Sequence, residues 1–93
     1  MDTQKDSKMA DEGIYAKIAG QKTVVGAKQL KKAVVSGSAL QVYLAKNADP
    51  AITEPLAAMC QQNCVEFAWV KSMTDLGRAC GIEVGAAAAA AVR

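Results

Sequence analysis

Gly81-Ile82-Glu83-Val84-Gly85-Ala86-Ala87-Ala88-Ala89-Ala90-Ala91-Val92 is the stretch on which the fold turns. Alanine has the highest helix propensity of any residue, so Ala86 to Ala91 taken alone reads as helix. Its surroundings read otherwise. Upstream, strand and helix patterns alternate three times, and such alternation leads to a sheet covered by helices. A fourth strand made of small residues suits a central place in that sheet, where helices press close on both sides. We therefore read Ala86 to Ala91 as strand.

Moving back along the chain, Ser72-Met73-Thr74-Asp75 is a capping-box-like helix start, and Gly81 ends that helix. Cys64 to Val70 is rich in β-forming residues and reads as a strand. Ile52, Leu56, Met59 and Cys60 recur at helical spacing. Thr53 is the expected N-cap of their helix, because Pro55 is tolerable only in a first turn. Asp49-Pro50 then reads as the turn that closes a buried strand over Leu40 to Ala45. Further upstream, β-branched Thr23-Val24-Val25 lead into Gly26, and Ala27, Leu30, Ala33 and Val34 follow at helical spacing as far as Ser36 and Gly37. Ile14, Tyr15, Ala16 and Ile18 make one or two helical turns stopped by Gly20. The polar residues 1–12 read as a flexible tail, which leaves one domain over 13–93.

Composition narrows the function classes. The 52% hydrophobic share comes mainly from Ala and Val, with only Tyr15, Tyr43, Phe67 and Trp69 as aromatics, so the core must be closely packed. No apolar stretch is both long and bulky enough to span a bilayer, and the first twenty residues lack an apolar signal core, so a cytoplasmic protein is expected. There is no histidine, no serine in a nucleophile-elbow context, no paired carboxylates and no phosphate-binding glycine loop. A non-catalytic protein without cofactor or metal is the expectation. Cys60, Cys64 and Cys80 lie on apolar segments without zinc-site spacing and read as structural thiols.

The net charge of +2 conceals a segregated pattern. Lys17, Lys22, Lys28, Lys31, Lys32 and Lys46 fall between Gly13 and Ala48, a span without a single acidic residue. Lys28, Lys31 and Lys32 lie in the first two turns of a helix, whose N-terminus carries partial positive charge and prefers acids. Either this is an ordinary solvated lysine face, or an anion such as phosphate arrives from outside. Gln29 beside the lysines can read the edge of an unpaired or sheared base. A second candidate is Ile82-Glu83-Val84 between two glycines. It is either core packing or a loop whose apolar groups stack on extruded bases while Glu83 accepts from base amino groups.

Val25-Gly26-Ala27-Lys28-Gln29, Lys32-Ala33, Ala48-Asp49-Pro50 and Leu76-Gly77-Arg78-Ala79-Cys80-Gly81-Ile82-Glu83-Val84 together resemble the kink-turn-binding ribosomal protein family of the L-seven-Ae type, most closely its short bacterial members. The resemblance covers roughly residues 14 to 92. It implies a three-layer α-β-α sandwich with a mixed four-stranded sheet, and it implies binding of kinked RNA by the segment matching Gly26 to Lys32, with the loop matching Ile82, Glu83 and Val84 beside it. The archaeal and eukaryotic pattern has Asn and Glu where this chain has Lys28 and Gln29, so the base-reading contacts differ here. The expected function is recognition of a kink-turn or similarly bent structured RNA, ribosomal RNA included, by a monomer. A protein-interaction module on the same fold is the alternative, since fold alone does not decide function.

Overall fold

The computed structural model describes residues 13–93, so the tail expected over 1–12 lies outside the described residues. A helix over residues 13–19 (α1) is followed by β1 (Thr23–Val25), α2 (Ala27–Ser36), β2 (Ala39–Ala45), α3 (Pro50–Gln62), β3 (Phe67–Val70), α4 (Met73–Ala79) and β4 (Ala88–Val92). The strands form one sheet in the order β1-β4-β2-β3. Only the β2–β3 pair is parallel, while β4 runs antiparallel to both its neighbours. β1, β2 and β3 therefore point the same way, and β4 runs against them.

The alanine run is a central strand. Side chains alternate across a strand, so β4 sends Ala89 and Ala91 to one face and Ala88 and Ala90 to the other. Ala89 and Ala91 pack in one cluster with Ile18 of α1, Leu76 of α4 and Tyr43 of β2. Ala88 and Ala90 pack in the second with Leu30 and Val34 of α2 and Leu56 and Cys60 of α3. The result is the expected three-layer α-β-α sandwich with a mixed four-stranded sheet. Large residues flank the small ones across the ladder: Val42, Tyr43 and Leu44 oppose Ala90, Ala89 and Ala88. Small side chains on β4 thus leave room for Tyr43, which is fully buried and donates its hydroxyl to Gln21 Oε1 at 3.0 Å.

Two expectations are corrected. Helix α3 begins at Pro50, and its cap is Asp49, whose side chain accepts from the Ala51 N–H at 3.0 Å. A carboxylate cap followed by proline at the first helical position, where no N–H is needed, is a stronger start than Thr53. Thr53 is instead 2% exposed inside the helix. Pro55 lies past the first turn, where it has no N–H to offer the Ala51 carbonyl. The strand expected from Cys64 begins only at Phe67, because Cys64 closes α3 with a left-handed φ of 57°. Val65 N–H bonds the Cys60 carbonyl at 2.8 Å and Cys64 N–H bonds the Gln61 carbonyl at 3.3 Å, a Schellman closure. Cys64 is exposed as a consequence and is not a core thiol.

Candidate nucleic-acid interface

Gly26 makes the corner from β1 into α2 with φ 101° and ψ 153°, a combination essentially confined to glycine. An ideal Cβ there would meet nothing within 4 Å. Backbone handedness, and not crowding by a neighbouring segment, requires the glycine. Its N–H extends the sheet by bonding the Ala88 carbonyl at 2.9 Å, and its carbonyl accepts the Leu30 N–H at 3.0 Å. Among the described residues no side chain caps α2, and its first turn holds no acid. The leading N–H groups of the helix, which have no intrahelical partners, therefore open outward with their partial positive charge.

Leu30, Ala33 and Val34 bury one face of α2, which leaves Lys28, Gln29, Lys31 and Lys32 exposed on the other. Lys28 and Lys32 are four residues apart and project along one stripe, with Gln29 between Lys28 and the sheet edge. Three cations beside an uncapped helix start repel one another and the helix dipole. An anion at this position relieves both.

The second segment reaches the same place through the sheet. Because β1 and β4 are antiparallel and Gly26 bonds Ala88, the loop that feeds β4 arrives at the end of the sheet where β1 stops. Within that loop Ile82 is half-buried and packs against the core cluster of α1 and α4, Glu83 is exposed, and Val84 is 71% exposed. Ile82 N–H bonds the Gly77 carbonyl at 3.0 Å and Ala86 N–H bonds the Met73 carbonyl at 3.0 Å, which fastens both ends of the loop to α4. A Cβ at Gly77 would collide with the Val84 carbonyl, so this glycine is needed for close approach. Ile82 anchors the loop, while Glu83 and Val84 are presented to solvent.

The sequence reading missed Lys71 altogether, and it counted Lys46 only as part of the basic span. Since β1, β2 and β3 share a direction, both lysines follow strand ends at the same end of the sheet as Gly26. Both are exposed, and their backbones are held by Lys46 N–H to the Val70 carbonyl at 2.9 Å and Lys71 N–H to the Tyr15 hydroxyl at 3.0 Å. A lysine directly after a strand in a parallel β-α unit was the signal available for them.

Among the described residues, no group of three or more His, Cys, Asp or Glu side chains could hold a metal ion, and no helix is long and apolar enough to cross a membrane. Burial pushes the Cys60 and Cys80 thiols up from their ordinary range, an effect that a hydrogen bond with the Thr23 side chain partly offsets at Cys80.

Residues 10–93 match the profile of the ribosomal protein L7Ae/L30e/S12e/Gadd45 family. An RNA-binding protein of Caldanaerobacter subterraneus subsp. tengcongensis is 44% identical over 71 residues, which span 76% of this chain and 87% of that protein. An RNA-binding protein of Bacillus pumilus is 44% identical over 77 residues, spanning 82% of this chain and 94% of the relative. Among solved structures, the Giardia lamblia 15.5kD RNA binding protein superposes with a TM-score of 0.77 at 26% identity, over 100% of this chain and 78% of its own.

Proposed function

We propose that this chain, which belongs to the ribosomal protein L7Ae/L30e/S12e/Gadd45 family, is a non-catalytic RNA-binding protein that selects a kink-turn or similarly bent internal loop. Its target lies in ribosomal or other structured non-coding RNA, and it acts as a cytoplasmic monomer. One observation carries the reading: an uncapped, acid-free helix start bearing Lys28, Lys31 and Lys32, set on a glycine-only corner beside the protruding Glu83 and Val84. The RNA-binding relatives, aligned over most of their length, support the ligand class.

The mechanism is selection of shape. A sharp bend crowds phosphates, and the lysines together with the α2 N-terminus neutralise them. Gln29 offers both a donor and an acceptor to the base pairs beside the bend, without the charged acceptor that glutamate would supply. Val84 covers an extruded nucleotide, and Glu83 accepts from base amino groups while repelling the phosphates of a straight duplex. Every one of these contacts favours the kinked state over the extended one, so binding shifts the RNA toward the bend.

The test is titration of a doubly labelled kink-turn RNA and an equal-length duplex, with end-to-end energy transfer reporting the bend. Wild type should bind and bend only the kink-turn. Lys28→Ala with Lys32→Ala should weaken binding and make the salt slope shallower by about one to two units, as expected for two lost phosphate contacts. Equal, weak binding of both RNAs by wild type would refute the proposal and leave a protein partner as the better reading.

A further inference from the structure

A second basic feature lies along α2, away from its N-terminus. It is an open groove of about 370 Å³ between that helix and the edge of the sheet, with Lys22, Lys32 and Arg93 on its rim and Val24, Ala33 and Val92 toward its floor. Among the described residues, no Asp or Glu side chain lines it. The cations come from three separate elements: Lys22 precedes β1, Lys32 sits on α2, and Arg93 follows β4. Backbone bonds hold them in place, with Val92 N–H to the Lys22 carbonyl at 2.8 Å and Arg93 N–H to the Ser38 carbonyl at 3.1 Å. Ser38 N–H in turn bonds the Ala33 carbonyl of α2 at 3.0 Å. The convergence of three like charges is thus a product of the fold and not of one flexible lysine run.

We infer that this groove is a second phosphate site, which holds the phosphodiester backbone of a helical arm flanking the bend gripped at the α2 N-terminus. The inference rests on the proposed RNA-binding function. Two features favour an extended polyanion over a single small phosphate. First, the groove is open, and its hydroxyls are already occupied: Ser36 Oγ and Ser38 Oγ lie 3.0 Å apart, and each is within reach of the Ala33 carbonyl, at 3.2 and 3.4 Å. Both hydroxyl protons have acceptors inside that cluster, which leaves the three cations and the Gln29 amide for the ligand. Second, Lys22 and Arg93 lie at the end of β1 and β4 opposite to Gly26. β1 spans about 10 Å at the usual rise per residue, and α2 is about 15 Å long. Gln29 and Lys32 line the groove and also belong to the first site, so one strand of RNA leaving the bend follows α2 into it.

The test uses Lys22→Gln with Arg93→Gln, both exposed positions outside the first site. Kink-turn RNAs carry full-length arms, or have one arm or the other cut back to its base. On the full RNA the variant should show a salt slope shallower by about 1.6, so that raising salt from about 50 to about 200 mM weakens wild type about tenfold more than the variant. Once the arm occupying the groove is removed, wild type and variant should bind alike, and both should still bend the RNA. Equal losses on all RNAs, or no loss on any, would overturn the inference while leaving kink-turn selection by wild type intact. Tight binding of inorganic phosphate alone, read from the amide shifts of Lys22 and Arg93, would overturn it in favour of a small-anion site. If wild type fails to discriminate kinked from straight RNA, the proposed function falls first and the inference with it.

Discussion

Gly26→Ala isolates the physical requirement at the corner that presents the α2 N-terminus. The new methyl group meets no neighbour, so the substitution adds no steric clash and its cost is conformational alone. An L-residue held at φ 101° and ψ 153° costs on the order of 1–3 kcal/mol. Alanine returns about 0.4–1 kcal/mol by restricting the unfolded chain. The net loss is about 1–2 kcal/mol, which lowers Tm by roughly 5–15 °C for a domain of this size. The alternative is relaxation of the corner, which breaks the Gly26 N–H bond to Ala88 or the Leu30 N–H bond to Gly26 and swings the start of α2 away from β4. Urea and thermal unfolding measure the loss, and chemical synthesis of the chain with the D-enantiomer of alanine at this position supplies the control. A D-residue favours positive φ, so its stability should lie nearer wild type than that of the L-alanine variant. The reasoning is refuted if L-alanine is as stable as glycine, or if both enantiomers destabilise equally, because space and not handedness would then be limiting.

Gly77→Ala tests close approach instead of handedness. Alanine gains about 1 kcal/mol of helix propensity in α4, but its Cβ drives into the Val84 carbonyl, a clash with backbone worth about 1–3 kcal/mol. Stability should fall by up to about 2 kcal/mol, and the backbone of the loop bearing Glu83 and Val84 must shift to admit the methyl group, so RNA affinity of the folded variant should fall as well; unchanged affinity would separate this loop from binding. Alkaline pH should weaken the fold. Burial raises the thiols of Cys60 and Cys80, and burial followed by repulsion from Cys80 raises the Tyr43 hydroxyl. The unfolded chain releases these protons first, so stability is full below the ordinary thiol pKa of about 8.5 and declines as pH rises above it. The urea midpoint should drop from about pH 8 to about pH 10, and Cys60→Ala with Cys80→Ala should flatten that slope; a midpoint that rises with pH would contradict the assigned direction.

Local chemistry made much of this protein legible. The Ser72 cap, which accepts the Asp75 N–H at 3.1 Å, the Gly37 and Gly81 stops with their left-handed φ, and the split of α2 into buried Leu30-Ala33-Val34 and exposed lysines are all consequences of neighbours within one or two turns. The same locality misled at α3. Thr53 and Asp49 are both acceptable caps, and the choice depends on which start buries Thr53 and Leu56 against the sheet. Cys64 likewise carries no mark of a left-handed helix closure, since glycine is the residue that usually signals one.

By itself, the sequence determined where chain segments change type and which residues carry charge, because caps, turns and periodicity act between near neighbours. The tertiary structure decided the rest. Alanine favours helix in isolation, yet β4 lies between Tyr43 and Val25 on one side of the sheet and Leu44 and Val24 on the other, where only small side chains leave room for helices on both faces. The meeting of Gly26 with the loop of Glu83 and Val84, and of Lys22 with Arg93, was equally out of reach of local patterns. Both depend on β4, the last strand in the chain, inserting between the first two, and long-range strand pairing is set by packing of the whole core.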